Sequence, residues 1–112
     1  MDHVNDIKAL FIIVNAGFAE TAVDIAREHG ASGATIINAR GTGPIHKSIL
    51  GITVDTEKEM VLTLVDKAKA ERIIAAIKEK AGVGSPINGI CFMMPVDKMT
   101  GLNTPMPPPN RK

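Results

Sequence analysis

The chain has 112 residues and a net charge of +1, with 13 basic and 12 acidic side chains, which is the length of a single domain with one core. Near-neutral charge, three Phe and neither Tyr nor Trp leave no electrostatic or base-stacking basis for a nucleic-acid partner. The longest purely apolar run, residues 9–14, is far shorter than the roughly 20 residues of a membrane-spanning helix. The N-terminus lacks the pattern of an export signal, so we expect a cytoplasmic protein that is not embedded in a membrane.

The first third of the chain predicts a strand, a helix and a second strand. Residues 10–14 are β-branched and aromatic enough for a buried strand. Apolar residues at helical spacing then predict a helix over 18–29, and Gly30 follows where a left-handed residue often ends a helix. Residues 35–40 alternate between apolar and polar side chains, as a strand with one buried face does.

The rest of the domain predicts the same order of elements after a long connection. Residues 41–56 contain three Gly and one Pro and predict a long exposed loop, within which 48–54 could form a short strand or turn. Asp66 is well placed to cap the second helix. The remaining elements are a third strand over 60–65, a helix that ends at Gly82, a glycine-rich loop over 82–89 and a fourth strand over 90–94.

The order βαββαβ predicts a ferredoxin-like α+β fold, with one antiparallel four-stranded sheet and both helices on one face. The first and fourth strands are apolar at successive positions, so the sheet face away from the helices must also be apolar. Such a face predicts a closed homo-oligomer that covers it. Residues 1–102 form the predicted domain, and 103–112, with four Pro, form a tail that can continue neither helix nor sheet.

Residues that could carry catalysis or bind a metal are sparse. The histidines at positions 3, 29 and 46 are far apart, and no pair has the spacing that brings two imidazoles to one metal. Cys91 is the only cysteine, and its apolar neighbours indicate a buried, unreactive thiol. Asp55, Glu57 and Glu59 alternate ahead of the third strand, which predicts a solvated strand edge.

Two glycine-rich segments are better candidates for a binding site. Gly41 and Gly43 follow the second strand, and residues 84–89 precede the fourth. Flexible backbone with small polar side chains suits an anionic phosphate, although two tight turns would have the same composition. Neither segment ends in the Gly-Lys-Ser/Thr of a P-loop, so the sequence does not predict nucleoside triphosphate hydrolysis.

The order of these parts resembles the PII signal-transduction family, including its PII-like branches. The resemblance rests on Gly33-Ala34-Thr35 at the second strand, on Gly41-Thr42-Gly43 and the long loop after it, and on residues 84–92, and it covers about residues 8–101. It implies a ferredoxin-like homotrimer that binds an adenine nucleotide in clefts between subunits. Residues 41–56 would be its T-loop and 82–89 its B-loop.

The resemblance also implies which residues bind the nucleotide. Thr35 and Leu64 would lie beside the adenine or ribose, residues 41–44 would form the T-loop base, and residues 84–89 would surround the phosphates, with Lys58 as a phosphate ligand. The implied nucleotide-binding residues are Thr35, Gly41, Thr42, Gly43, Pro44, Lys58, Leu64, Gly84, Ser85, Pro86, Asn88, Gly89 and Lys98.

The chain departs from the family pattern at charged and modified positions. It has no Tyr for the T-loop modification of some members, and its T-loop is shorter, so we expect no uridylylation. Ile90 stands where the family has a B-loop lysine, and the C-terminal arginine pair is reduced to the region 98–101. Fewer cations weaken triphosphate binding, which makes ADP or AMP plausible ligands beside ATP.

The resulting hypothesis is a sensor that is not an enzyme, with no redox cofactor and no metal. Nucleotide occupancy would order or release residues 41–56, which would then contact a regulated transporter or enzyme. One alternative is a small ferredoxin-like enzyme that acts on a phosphate compound, with Asn38 and Arg40 as candidate phosphate ligands. The other is a metal-binding trimer of the same fold.

Overall fold

A computed structural model of the chain describes residues 6–42, 47–49, 52–54 and 56–101. The elements in chain order are β1 Ile7–Asn15, α1 Ala19–Glu28, β2 Thr35–Gly41, β3 Lys47–Ile49, β4 Ile52–Val54, β5 Thr56–Asp66, α2 Lys67–Ala81 and β6 Ile90–Pro95. The four main strands and both helices lie where the sequence predicts them. The connection between β2 and β5 contains a short antiparallel hairpin of β3 and β4, so it is not irregular throughout.

The main sheet has the strand order β2-β5-β1-β6, and every neighbouring pair is antiparallel. In this register Phe11 of β1 lies opposite Leu62 of β5 on one side and Phe92 of β6 on the other. With one helix after β1 and one after β5, this is the predicted ferredoxin-like fold. The third main strand begins at Thr56, four residues before the predicted start, because its polar first residues pair with β2, and from Lys58 onward the strand also pairs with β1.

The core lies between the sheet and the two helices. Leu10, Ile12 and Val14 of β1 are fully buried, and Val61 and Val65 of β5 point to the same side. The helices contribute their apolar stripes to this layer, since α1 buries Ala19, Ala22, Ile25 and Ala26, and α2 buries Ala70, Ile73, Ala76, Ile77 and Ala81. Both helices therefore cover one face of the sheet.

The helix ends follow the predicted signals, with one addition. The Asp66 carboxylate accepts a hydrogen bond from the Lys69 main-chain nitrogen at 2.9 Å and caps α2. Gly30 has φ +111° just after α1, the left-handed conformation expected of a helix-ending glycine. The start of α1 is capped from β5, because Glu59 Oε1 accepts from the nitrogens of Gly17 at 2.9 Å and Ala19 at 3.1 Å. The solvated edge predicted for the acidic residues is therefore wrong for Glu59, whose partly buried carboxylate stabilises the helix N-terminus.

The opposite face of the sheet, which we call the open face, is apolar and carries no helix. Its large side chains remain partly exposed: Ile90 is 50% exposed, Met94 49% and Phe92 40%. The strand register places the following residues on it: Ala9, Phe11 and Ile13 of β1, Ile37 of β2, Met60, Leu62 and Leu64 of β5, and Ile90, Phe92 and Met94 of β6. The predicted second apolar face is confirmed.

Candidate functional site

Lys58 and Asn15 link the end of β2 to loop 82–89 at one end of the open face. Its Nζ donates to Asn15 Oδ1 at 2.7 Å. A Cβ placed on Gly41 would lie 3.2 Å from carbons of the Lys58 side chain, so β2 ends directly against this lysine. The Asn15 amide also donates from Nδ2 to the Pro86 carbonyl oxygen at 2.9 Å. Gly41, Lys58 and loop 82–89 therefore come together in one copy of the chain.

Loop 82–89 is organised by the hydroxyl of Ser85. Ser85 Oγ donates to the Gly82 carbonyl oxygen at 2.7 Å and accepts from the nitrogens of Ile87 at 3.2 Å and Asn88 at 3.3 Å. Gly84 has φ +100°, a left-handed conformation that a side chain would strain. The Ser85 hydroxyl thus shapes the loop from inside, as a small polar side chain in a turn commonly does.

Gly89 ends the loop in close contact with the last turn of α2. Its nitrogen donates to the Ala81 carbonyl oxygen at 2.6 Å, and a Cβ at this position would lie 2.6 Å from the same oxygen. Glycine is therefore required here by space and not by backbone conformation. This contact fixes the direction in which β6 leaves the loop.

Thr35 and Leu64 lie together at the other end of the open face. Both line a cavity of about 410 Å³, with Ala9, Phe11, Ser32, Gly33, Ala34, Leu62 and Thr63. Buried Thr63 donates from Oγ1 to the Gly33 carbonyl oxygen at 2.5 Å, and this bond holds the segment before β2 against β5. The cavity wall is mostly apolar, which suits a flat base more than a phosphate.

The two groups of residues are a strand length apart. Thr35 and Gly41 are the first and last residues of β2, and Lys58 and Leu64 are separated by the same six positions on β5. Six residues of extended chain span about 20 Å. One copy therefore presents a mostly apolar cavity and a lysine with a glycine-rich loop at opposite ends of one face.

Of the remaining predicted site residues, the structure describes Thr42 and Lys98, and no contact links either of them to the two groups. Thr42 is exposed beyond β2, and Lys98 is exposed three residues after β6. Gly43 and Pro44 lie outside the described residues. Ile90, half exposed at the start of β6, supplies no charge beside the B-loop.

The described part of the chain supports neither a metal site nor a reactive thiol. No cluster of three His, Cys, Asp or Glu side chains among these residues could hold a metal ion. Burial raises the pKa of the Cys91 thiol from 9.0 to about 12, so it stays protonated and is a poor nucleophile near neutral pH. Asn38 and Arg40 are both exposed on β2, where alternate positions share the helix side of the sheet.

A sequence model of the nitrogen regulatory protein P-II family matches residues 7–105. The chain belongs to the P-II family. This membership confirms the resemblance to PII proteins and makes the chain a P-II signalling protein. No curated protein sequence matches it.

Solved structures of P-II proteins share this fold. A PII-like signalling protein from Thermus thermophilus is 22% identical with a TM-score of 0.63, over 80% of this chain and 86% of the other. GlnK from B. subtilis is 18% identical with a TM-score of 0.62, over 81% of this chain and 85% of GlnK. CPII from Thiomonas intermedia is a nitrogen regulatory PII-like protein whose structure was solved with ADP, AMP and bicarbonate. It is 18% identical with a TM-score of 0.63, over 86% of this chain and 96% of CPII.

Sequence reasoning missed three residues that hold the candidate site of this P-II protein in place. Asn15 reads in the sequence only as the start of a turn, yet it bonds both Lys58 and Pro86. Thr63 reads as a polar interruption of a strand, and Glu59 as a surface acid. Their partners lie 30 to 71 positions away in the chain, and no local pattern identifies such pairs.

No described helix is long and apolar enough to span a membrane.

Proposed function

We propose that this P-II protein is a homotrimer that binds an adenine nucleotide in clefts between subunits and regulates a partner protein through residues 41–56. The observation that carries the proposal is the separation of the two candidate groups along one uncovered apolar face. The domain over residues 1–102, the tail over 103–112 and a cytoplasmic location are parts of the same proposal.

The intersubunit cleft follows from where the two groups lie. Thr35 and Leu64 line an apolar cavity, whereas Lys58 and loop 82–89 offer an ammonium group and backbone, about 20 Å away. A nucleotide needs both kinds of surface at once. In a closed trimer the open faces of the three copies would pack against one another, which removes their apolar side chains from water. The cavity of one copy would then lie near the lysine end of the next.

The expected ligand carries few phosphates. GlnK has been solved with ATP, and CPII with ADP and AMP. In this chain Ile90 occupies the family's B-loop lysine position, so the phosphates would be held by Lys58 and by main-chain groups. Each lost charge-assisted hydrogen bond weakens binding by about 1.5–3 kcal/mol. We therefore propose that ADP and AMP bind at least as tightly as ATP.

Control of a partner would act through the two ends of the 41–56 segment, where it joins β2 and β5. Gly41 packs against the Lys58 side chain, and Thr56 pairs with Gly41 at the other end. A phosphate that binds the Lys58 ammonium would therefore act beside Gly41, where the segment leaves the sheet. Ligand occupancy would shift the segment between states that differ in affinity for a transporter or an enzyme.

Isothermal titration calorimetry with ATP, ADP, AMP and cyclic dinucleotides tests the proposal. We expect micromolar binding of at least one adenine nucleotide to the unmodified protein. Lys58→Met should weaken that binding about tenfold or more, because it removes a charged hydrogen-bond donor at the phosphates. Lys67→Met, at an exposed lysine that begins α2, is the matched control and should bind normally. Absence of binding to every one of these ligands at millimolar concentration would overturn the proposal.

A further inference from the structure

We propose that Asn15 is a positioning residue that couples the Lys58 ammonium to loop 82–89, so that an anion at Lys58 and the shape of the loop affect each other. This inference rests on the proposed nucleotide function. It concerns how the site is regulated, and it assigns a role to a residue outside the set implied by the family resemblance.

Asn15 makes three hydrogen bonds to two distant segments. Oδ1 accepts from Lys58 Nζ at 2.7 Å, and Nδ2 donates to the Pro86 carbonyl oxygen at 2.9 Å. Its main-chain nitrogen donates to the Ile87 carbonyl oxygen, also at 2.9 Å. One residue at the end of β1 therefore holds both the Lys58 ammonium and the centre of loop 82–89.

The backbone around Asn15 is fixed, so the side chain cannot move away at low cost. The carbonyl oxygen of Asn15 accepts from the Phe18 nitrogen at 3.2 Å, and the next nitrogen, of Ala16, donates to the Glu57 carbonyl oxygen at 3.1 Å. Glu59 then holds the turn through its bonds to the nitrogens of Gly17 and Ala19. Movement of Lys58 is therefore transmitted to the loop instead of being absorbed at β1.

The chemistry of the position requires an amide. Lys58 needs an acceptor and the Pro86 carbonyl needs a donor, and a carboxamide supplies both from one planar group. Aspartate keeps the acceptor and loses the donor, whereas leucine has a similar size and neither. An ammonium group has three donors, so Lys58 can bond Asn15 and still donate to a bound phosphate. Asn15 thus orients the ammonium in advance of binding.

Hydrogen exchange in the ligand-free protein tests the coupling directly. In Asn15→Leu we expect the amides of Ile87 and Asn88 to exchange roughly three- to tenfold faster, because the loop loses its anchor at Pro86. Asn15→Asp should also release the loop while keeping Lys58 in place, and it serves as a second variant if leucine disturbs folding. Asn38→Leu, at an exposed asparagine of β2, is the matched control and should leave loop exchange unchanged.

Calorimetry then measures the consequence for the ligand. Asn15→Leu should weaken the binding of ADP roughly tenfold. The binding of adenosine, which has no phosphate, should be nearly unchanged. In a double-mutant cycle, Asn15→Leu should add little to Lys58→Met, since the two residues act as one unit. Unchanged ADP affinity together with unchanged loop exchange in both Asn15 variants would overturn the inference.

The two proposals fail in different ways. If the unmodified protein binds no nucleotide, the proposed function is wrong, and the exchange rates of the ligand-free variants still decide whether Asn15 anchors the loop. If the protein binds ADP and the Asn15 variants match it in affinity and exchange, only the coupling is wrong.

Discussion

The rings of Phe11 and Phe92 stack across β1 and β6 with their centroids 5.2 Å apart and 15° between their planes. Both lie on the open face, in the same row of the sheet as Leu62. Phe92 remains 40% exposed, with Ile90 and Met94 beside it on the same strand. A row of large apolar side chains in water is unfavourable in a monomer, so these residues are suited to contact another copy.

Phe92→Glu should therefore dissociate the proposed trimer, because a buried unpaired carboxylate costs far more than the phenylalanine contact it replaces. Size-exclusion chromatography with light scattering measures the mass. We expect three chains for the unmodified protein and one for the variant. Ala75→Glu introduces the same charge at an exposed position of α2 and should keep the mass of three chains. A trimeric Phe92→Glu, or a monomeric unmodified protein, would exclude this interface.

A methyl group at position 89 should destabilise the fold. In Gly89→Ala the new Cβ would lie 2.6 Å from the Ala81 carbonyl oxygen, so the loop or the end of α2 must shift. We expect a loss of about 1–3 kcal/mol in the free energy of unfolding, measured by urea denaturation. Gly33→Ala is the control, because no atom lies within 4 Å of its added Cβ. Equal stability of the two variants would show that the contact is not tight in solution.

The arrangement of main strands and helices could be predicted from the sequence because each element carries its own signal. The apolar residues of β1, the helical spacing in α2 and the capping residue Asp66 are local patterns that act within a few positions. The exposed apolar side chains of β6 could be predicted in the same way, because successive apolar residues in a strand place apolar side chains on both faces of the sheet.

The contacts that connect the segments of the candidate site could not be predicted, since they depend on the pairing register of strands that are distant in sequence. Residues 57–59 are polar and lie ahead of the predicted third strand, where the acidic residues predict a solvated edge, yet they belong to β5, and Lys58 and Glu59 pair with both β1 and β2. That pairing places Lys58 beside Asn15 and Glu59 beside the start of α1. A one-residue shift in register would send both side chains to the opposite faces of the sheet.

The thiol of Cys91 should make stability depend on alkaline pH. Burial raises its pKa from 9.0 to about 12, so between these values the unfolded chain releases a proton that the folded chain keeps. Unfolding then becomes easier as pH rises, by at most about 1.4 kcal/mol per pH unit, and the effect is absent below about pH 9. Chemical denaturation across this range, compared with Cys91→Val, isolates the contribution of the thiol. Parallel curves for the two proteins would contradict the raised pKa.

Mixing two defective variants tests whether the nucleotide cleft lies between subunits. Lys58→Met removes the ammonium at one end of the open face, and Thr35→Phe fills the cavity at the other end. Each variant alone should bind ADP weakly.

In trimers assembled at random from equal amounts of both variants, about a quarter of the clefts combine the intact lysine end of one chain with the intact cavity of the next. Those clefts should recover the affinity of the unmodified protein, measured as the stoichiometry of tight ADP sites by calorimetry. Mixing Lys58→Met with Asn15→Leu is the control, because both changes lie in the same half of the site and no intact cleft can form. If mixing with Thr35→Phe restores no tight sites while the trimers assemble normally, both halves of the site belong to one subunit.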